Sequence, residues 1–117
     1  MIHEKKKVAK IVEELTMFFF TIGTEKMESG IEMIGNEAKI TFSADYRPEF
    51  AHSIDHLETA LNEPKNEGME DIYWELAGSG DPGESSQLLL IGMMVDRYEM
   101  KREEGHVELT LYKEMLM

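Results

Sequence analysis

The sequence predicts an α+β domain, a two-layer α/β sandwich with a mostly antiparallel four-stranded sheet and helices on one face. Three observations predict it. Apolar residues near the N-terminus recur with the period of a helix, two stretches alternate with period two around glycine turns, and further helical segments lie between those stretches. The resulting order is α-ββ-αα-α-ββ over 117 residues, the size of a single domain spanning 1–117.

Residues 3–22 read as the first helix. Val8, Ile11, Val12, Leu15, Phe18, Phe19 and Ile22 fall at i, i+3, i+4 and i+7, which gathers them into one stripe, and Gly23 supplies the stop. Met17 and Phe20 project from the opposite side, where a two-layer domain normally carries polar groups, so a second helix or a partner must cover them. Residues 30–45 read as a hairpin, with Ile31 and Met33 alternating before a Gly35-Asn36 turn and Ala38, Ile40, Phe42 and Ala44 after it. Two helices follow over 49–62 and 69–77, separated by the breaker run Glu63-Pro64-Lys65-Asn66-Glu67-Gly68. A glycine-rich loop at 78–83 leads into a helix over 84–96. A second hairpin closes the chain: Tyr98 and Met100 alternate with charge, Glu104-Gly105 turns, and Val107, Leu109 and Leu111 return along one face.

Composition narrows the function classes. The formal net charge is −12, which repels phosphates and argues against nucleic acid as a partner. An acidic surface serves solubility, or a basic protein partner. There is no cysteine, hence neither a disulfide nor a thiolate metal site. No apolar run approaches the ~20 residues needed to span a bilayer, and Met1-Ile2-His3-Glu4-Lys5-Lys6-Lys7 leads into no secretory apolar region. The expectation is a cytoplasmic, bacterial-type protein that does not enter membranes.

The stretch 85–113 resembles the C-terminal part of bacterial anti-sigma-factor serine kinases and related GHKL-type, histidine kinase-like ATPases. The resemblance is carried by a helix through Leu88-Leu89-Leu90-Ile91, the step Val95-Asp96, the hairpin around Arg102-Glu103-Glu104-Gly105, and the closing strand Leu109-Thr110-Leu111-Tyr112-Lys113. Upstream, Val12-Glu13-Glu14-Leu15-Thr16 resembles the start of the family's Asn-bearing helix. Asp45-Tyr46-Arg47-Pro48-Glu49-Phe50 resembles its DxGxPF segment, whose Asp contacts adenine. The resemblance implies the histidine kinase-like ATPase fold, truncated at its N-terminus, with Asp45 and Glu14 as the cofactor-binding candidates.

The departures imply a degenerate domain. The family's Mg²⁺-holding Asn falls at Phe18, or at Met17 on a one-residue shift, and neither offers oxygen to a cation that demands it. Arg47 replaces a glycine of the first glycine box, and Ser85 and Gln87 replace those of the last, which costs close backbone approach to phosphate. The expectation is a non-catalytic regulatory or protein-interaction domain with no catalytic residues, no metal site and no required cofactor. It would act with a protein partner or as a homodimer, through Met17 and Phe20. The alternatives are weak ATP or ADP binding without the usual Mg²⁺ site, or an active anti-sigma-type serine kinase.

Each remaining feature has a plainer reading beside the functional one. Gly78-Ser79-Gly80-Asp81-Pro82-Gly83 spells GxGxxG but follows a helix rather than a strand, so it reads as a loop. His52 and His56 stand one turn apart, yet Ser53 occupies the place where a metalloprotease motif needs Glu, and they read as a helix face. Asp45 is either a retained ligand contact or a turn residue entering the next helix. Glu14, at the edge of the apolar stripe, reads as a solvated charge when taken alone. His3 and His106 show no partner in the sequence. Met33 and Met100 read as core, and the tail Met115-Leu116-Met117 as interface.

Overall fold

The N-terminal stripe folds as a helix, α1 (Glu4–Thr21), which buries Val8, Ile11, Leu15, Phe18 and Phe19. Its stop is a Schellman motif: Gly23 adopts φ +79°, its N–H donates to Phe20 O at 3.0 Å, and that of Thr24 to Phe19 O at 2.9 Å. The computed structural model describes residues 4–62 and 85–115. The sequence-read helix at 69–77, the breaker run and the loop at 78–83 lie outside them.

Two hairpins build the sheet. Strands β1 (Met27–Ile34) and β2 (Glu37–Asp45) join through Gly35 at φ +62°, and β3 (Arg97–Glu103) and β4 (His106–Glu114) through Gly105 at φ +76°. The strand order is β1-β2-β4-β3, and every pairing is antiparallel. Alternation along the central strands separates two faces. Ala38, Ile40, Phe42, Ala44, Val107, Leu109 and Leu111 are buried on one face, and the residues between them form a polar face.

Helices cover the apolar face. A single 3₁₀ turn at Pro48–Phe50 leads into α2 (Ala51–Leu61), and α3 (Ser85–Met94) lies between α1 and α2. The central place of α3 explains its sequence, apolar on nearly every side, with Leu88, Leu90, Ile91 and Met94 buried. The Phe19 ring of α1 packs 6.0 Å from the Phe42 ring of β2. At the far side α2 is tied to β3: Tyr98 Oη donates to Asn62 Oδ1 at 2.7 Å, and Arg102 reaches Asp55 Oδ1 at 2.5 Å and Ala51 O at 3.2 Å. The domain is therefore α+β, with a four-stranded antiparallel sheet layered under helices.

Several expectations need correction. Met33 is not core: it is 55% exposed, as are Ile31 at 53% and Ile34 at 51%. Strand β1 is the sheet edge, and α1 packs over β2, so β1 beyond Met27 is left exposed. Met100 does pack against the core, half-buried. Met115 is buried rather than presented at an interface, because its N–H donates to Asn36 O at 2.7 Å and continues the β2–β4 ladder.

Candidate functional site

Three side chains converge on the polar face. Asp45 ends β2, His106 opens β4 directly opposite it, and Ser43 stands two residues back from Asp45 on the same face. His106 Nδ1 lies 2.8 Å from Asp45 Oδ1, and Nε2 lies 3.2 Å from Ser43 Oγ. A carboxylate only accepts, so Nδ1 donates to Asp45, and Nε2 shares a hydrogen bond with the Ser43 hydroxyl. With Lys26 and Glu28 these three residues line a shallow open recess of about 150 Å³.

The connectivity is that of acid, base and nucleophile, but acyl transfer also needs backbone N–H donors aimed at the developing oxyanion. Ser43 lies on an inner strand, paired on both sides with Glu28 and Glu108, where amide groups are spent in the ladders. The trio acts instead as a polar cross-link between the two hairpins.

The two cofactor candidates are not brought together. Asp45 faces the open side of the sheet and holds His106, so it does not cap the following helix, which has no side-chain cap. Glu14 is fully buried on the opposite, helix-covered side, contrary to its reading as a solvated charge. Lys10 Nζ sits 2.9 Å from Glu14 Oε2 and 3.1 Å from Glu13 Oε1. Burial lowers the Lys10 pKa, but hydrogen bonds and charge from Glu14 and Glu13 outweigh it, and the net shift is upward. A second buried charge group joins α1 to the sheet: Lys113 Nζ is 3.4 Å from Glu4 Oε2 and donates to Met94 O at 3.3 Å, and Lys7 Nζ is 3.5 Å from Glu4 Oε1.

Arg47 pairs at 3.3 Å with Glu25 on the surface. The rings of His52 and His56 meet edge-on at 6.3 Å, both residues exposed. Among the described residues no group of three or more His, Asp or Glu side chains is placed to hold a metal. Among them, too, no helix is long and apolar enough to cross a membrane.

Met17 and Phe20 are exposed, at 38% and 60%, as the helical period requires. The other exposed large apolar residues described are Ile31, Met33 and Ile34, so all five belong to α1 and β1, one end of the sandwich. Sequence reasoning missed the β1 share of this surface and the partners of His106. Alternation places a residue on a face without showing whether that face is covered. The pairing of His106 with Asp45 depends on a register set between residues 61 positions apart. No family model, curated protein or solved structure matches the chain.

Proposed function

We propose that this chain is a non-catalytic protein-interaction domain on an ATPase-like scaffold, and that it engages its partner through the α1 and β1 end of the sandwich. The carrying observation is the segregation of the exposed apolar side chains. Met17, Phe20, Ile31, Met33 and Ile34 all lie there, while α2 and the open face of the central strands β2 and β4 present charge and hydroxyls. Exposed apolar area gathered in one region marks association surfaces rather than ordinary solvent contact. Support for the absence of catalysis comes from the resemblance, which sets Phe18, or Met17 on a one-residue shift, where the family carries its metal-holding Asn, and from the separation of Asp45 and Glu14 across the sheet.

A photo-crosslinking amino acid placed at Phe20 or Ile31 in cells tests the proposal. The expected result is one discrete adduct from each of these positions and none from Lys101, on the opposite edge strand. Adducts equally abundant from all three positions, or from none, would refute it.

A further inference from the structure

Strand β1 carries two of its three exposed apolar side chains, Ile31 and Met33, on residues whose backbone is turned away from β2. The Asp45 N–H donates to Lys26 O at 3.1 Å, which fixes the phase of the β1–β2 ladder. Bonded pairs alternate in an antiparallel ladder, so residues 28, 30, 32 and 34 spend their amides on β2. Met27, Ser29, Ile31 and Met33 therefore aim N–H and C=O away from β2, at an edge that no other described strand pairs with. The same four residues stand opposite Ala44, Phe42, Ile40 and Ala38, on the helix-side face, and every β1 residue after Met27 is exposed. Edge strands are usually blunted by proline, lysine or a bulge. This one, Met-Glu-Ser-Gly-Ile-Glu-Met-Ile, carries no proline, lysine or bulge, and its only charges are Glu28 and Glu32.

We infer that the occupant of this edge is a second copy of the chain, its β1 paired antiparallel with the first about a two-fold axis, with Ile31 opposite Ile31; this rests on the interaction-domain reading above. An edge strand is complementary to its own two-fold copy, because outward amides of one meet those of the other. Two registers keep most of the strand paired. With Gly30 opposite itself, Glu28 faces Glu32 twice, and like charges directly opposite are unfavourable. With Ile31 opposite itself, Glu28 faces Ile34, Gly30 faces Glu32 and Ser29 faces Met33, so no like charges meet. The product is a continuous eight-stranded sheet with an Ile31 and Met33 ridge between the two helical layers.

The area available suits a weak dimer. Ile31 and Met33, each about half exposed on the helix-side face, and Ile34 on the open face supply only part of the ~800 Å² each partner buries in a standard interface. The seven-residue backbone ladder and the adjoining α1 flank supply the remainder. The charge of −12 on each copy opposes association, but at about 0.15 M salt the screening length is ~8 Å, which confines repulsion to near neighbours.

Sedimentation velocity on the full chain from about 1 to 500 µM tests the inference, with two variants whose fold is checked by circular dichroism. Ile31→Lys sets two ammonium groups against each other at the axis. Ser29→Pro removes one outward N–H and leaves the apolar side chains and the β1–β2 bonds in place, since proline is tolerated where the amide faces solvent. The expected result is a concentration-dependent dimer in the unaltered chain and monomers, at least tenfold weaker in association, in both variants. An unaltered chain that stays monomeric at 500 µM, or a dimer that survives both substitutions, overturns the inference. The interaction-domain reading stands separately, because crosslinks from Phe20 and Ile31 to a different protein would preserve it, and their absence would remove it.

Discussion

Ile31 of β1 and Ile40 of β2 are paired directly across the sheet on the same face, yet Ile40 is fully buried while Ile31 is 53% exposed. One step across the sheet separates core from open surface, because helix α1 packs over β2 and leaves β1 bare.

The two isoleucines should therefore differ sharply in what they contribute to stability. Ile40→Ala should cost about 2–4 kcal/mol, from lost burial plus a residual cavity. Ile31→Ala should stay within about 0.5 kcal/mol in a dilute, monomeric sample. Urea unfolding at low micromolar protein measures both, and similar midpoints for the two variants would mean that β1 is covered in solution.

The C-terminal end of α1 offers substitutions of opposite sign. Gly23 sits at φ +79° with open space where a Cβ would go, so Gly23→Ala pays only the backbone cost, about 1 kcal/mol, near 4 °C in Tm. Among the described residues the buried Thr24 hydroxyl has no hydrogen-bond partner, and Thr24→Val should stabilise by roughly 0.5–1 kcal/mol. Thermal denaturation of the two variants is the check, and a destabilised Thr24→Val would show that the hydroxyl is bonded.

Tyr98 supplies a pH dependence of defined sign. Burial raises its phenol above the ordinary 10.0, and the charge of Glu58 adds to the rise. A folded-state pKa above the unfolded one means a contribution fully present below pH 10 and lost as pH climbs through the folded value. Stability measured at pH 9 and again above pH 10 should therefore fall less in Tyr98→Phe than in the unaltered chain. Equal losses would place the alkaline transition elsewhere.

Nucleotide should leave the protein unmoved. Asp45 is turned to His106 on the open face, and Glu14 is sealed on the other. A ligand at about 100-fold over its Kd would add ~2.7 kcal/mol, several degrees in a domain of this size. No shift is expected in a thermal titration with millimolar ATP or ADP, with or without Mg²⁺. A shift that requires Mg²⁺ would return the ATPase reading to first place.

Local regularities made much of the fold legible. The stripe from Val8 to Ile22, the turns at Gly35 and Glu104-Gly105, and the alternation of Val107, Leu109 and Leu111 are patterns within a few residues, and each became the expected element. Long-range facts stayed hidden. The burial of Glu14 depends on neighbouring elements closing over α1, and Lys10, four positions away, gave no sign of it. The partners of His106 are not legible locally, because the register that sets it beside Asp45 and Ser43 is written in two strands far apart in the chain.

The strand order β1-β2-β4-β3 has a consequence for how the molecule assembles. Each hairpin needs only its own turn and can form on a microsecond scale. The β2–β4 seam must instead bring together residues such as Asp45 and His106, 61 positions apart, with α2 and α3 in between. Contacts of such separation slow folding, since closure entropy is spent before they stabilise anything. Until that seam closes, β2 and β4 each expose a second open edge, and an acidic chain that repels its own copies is well suited to survive that interval without aggregating.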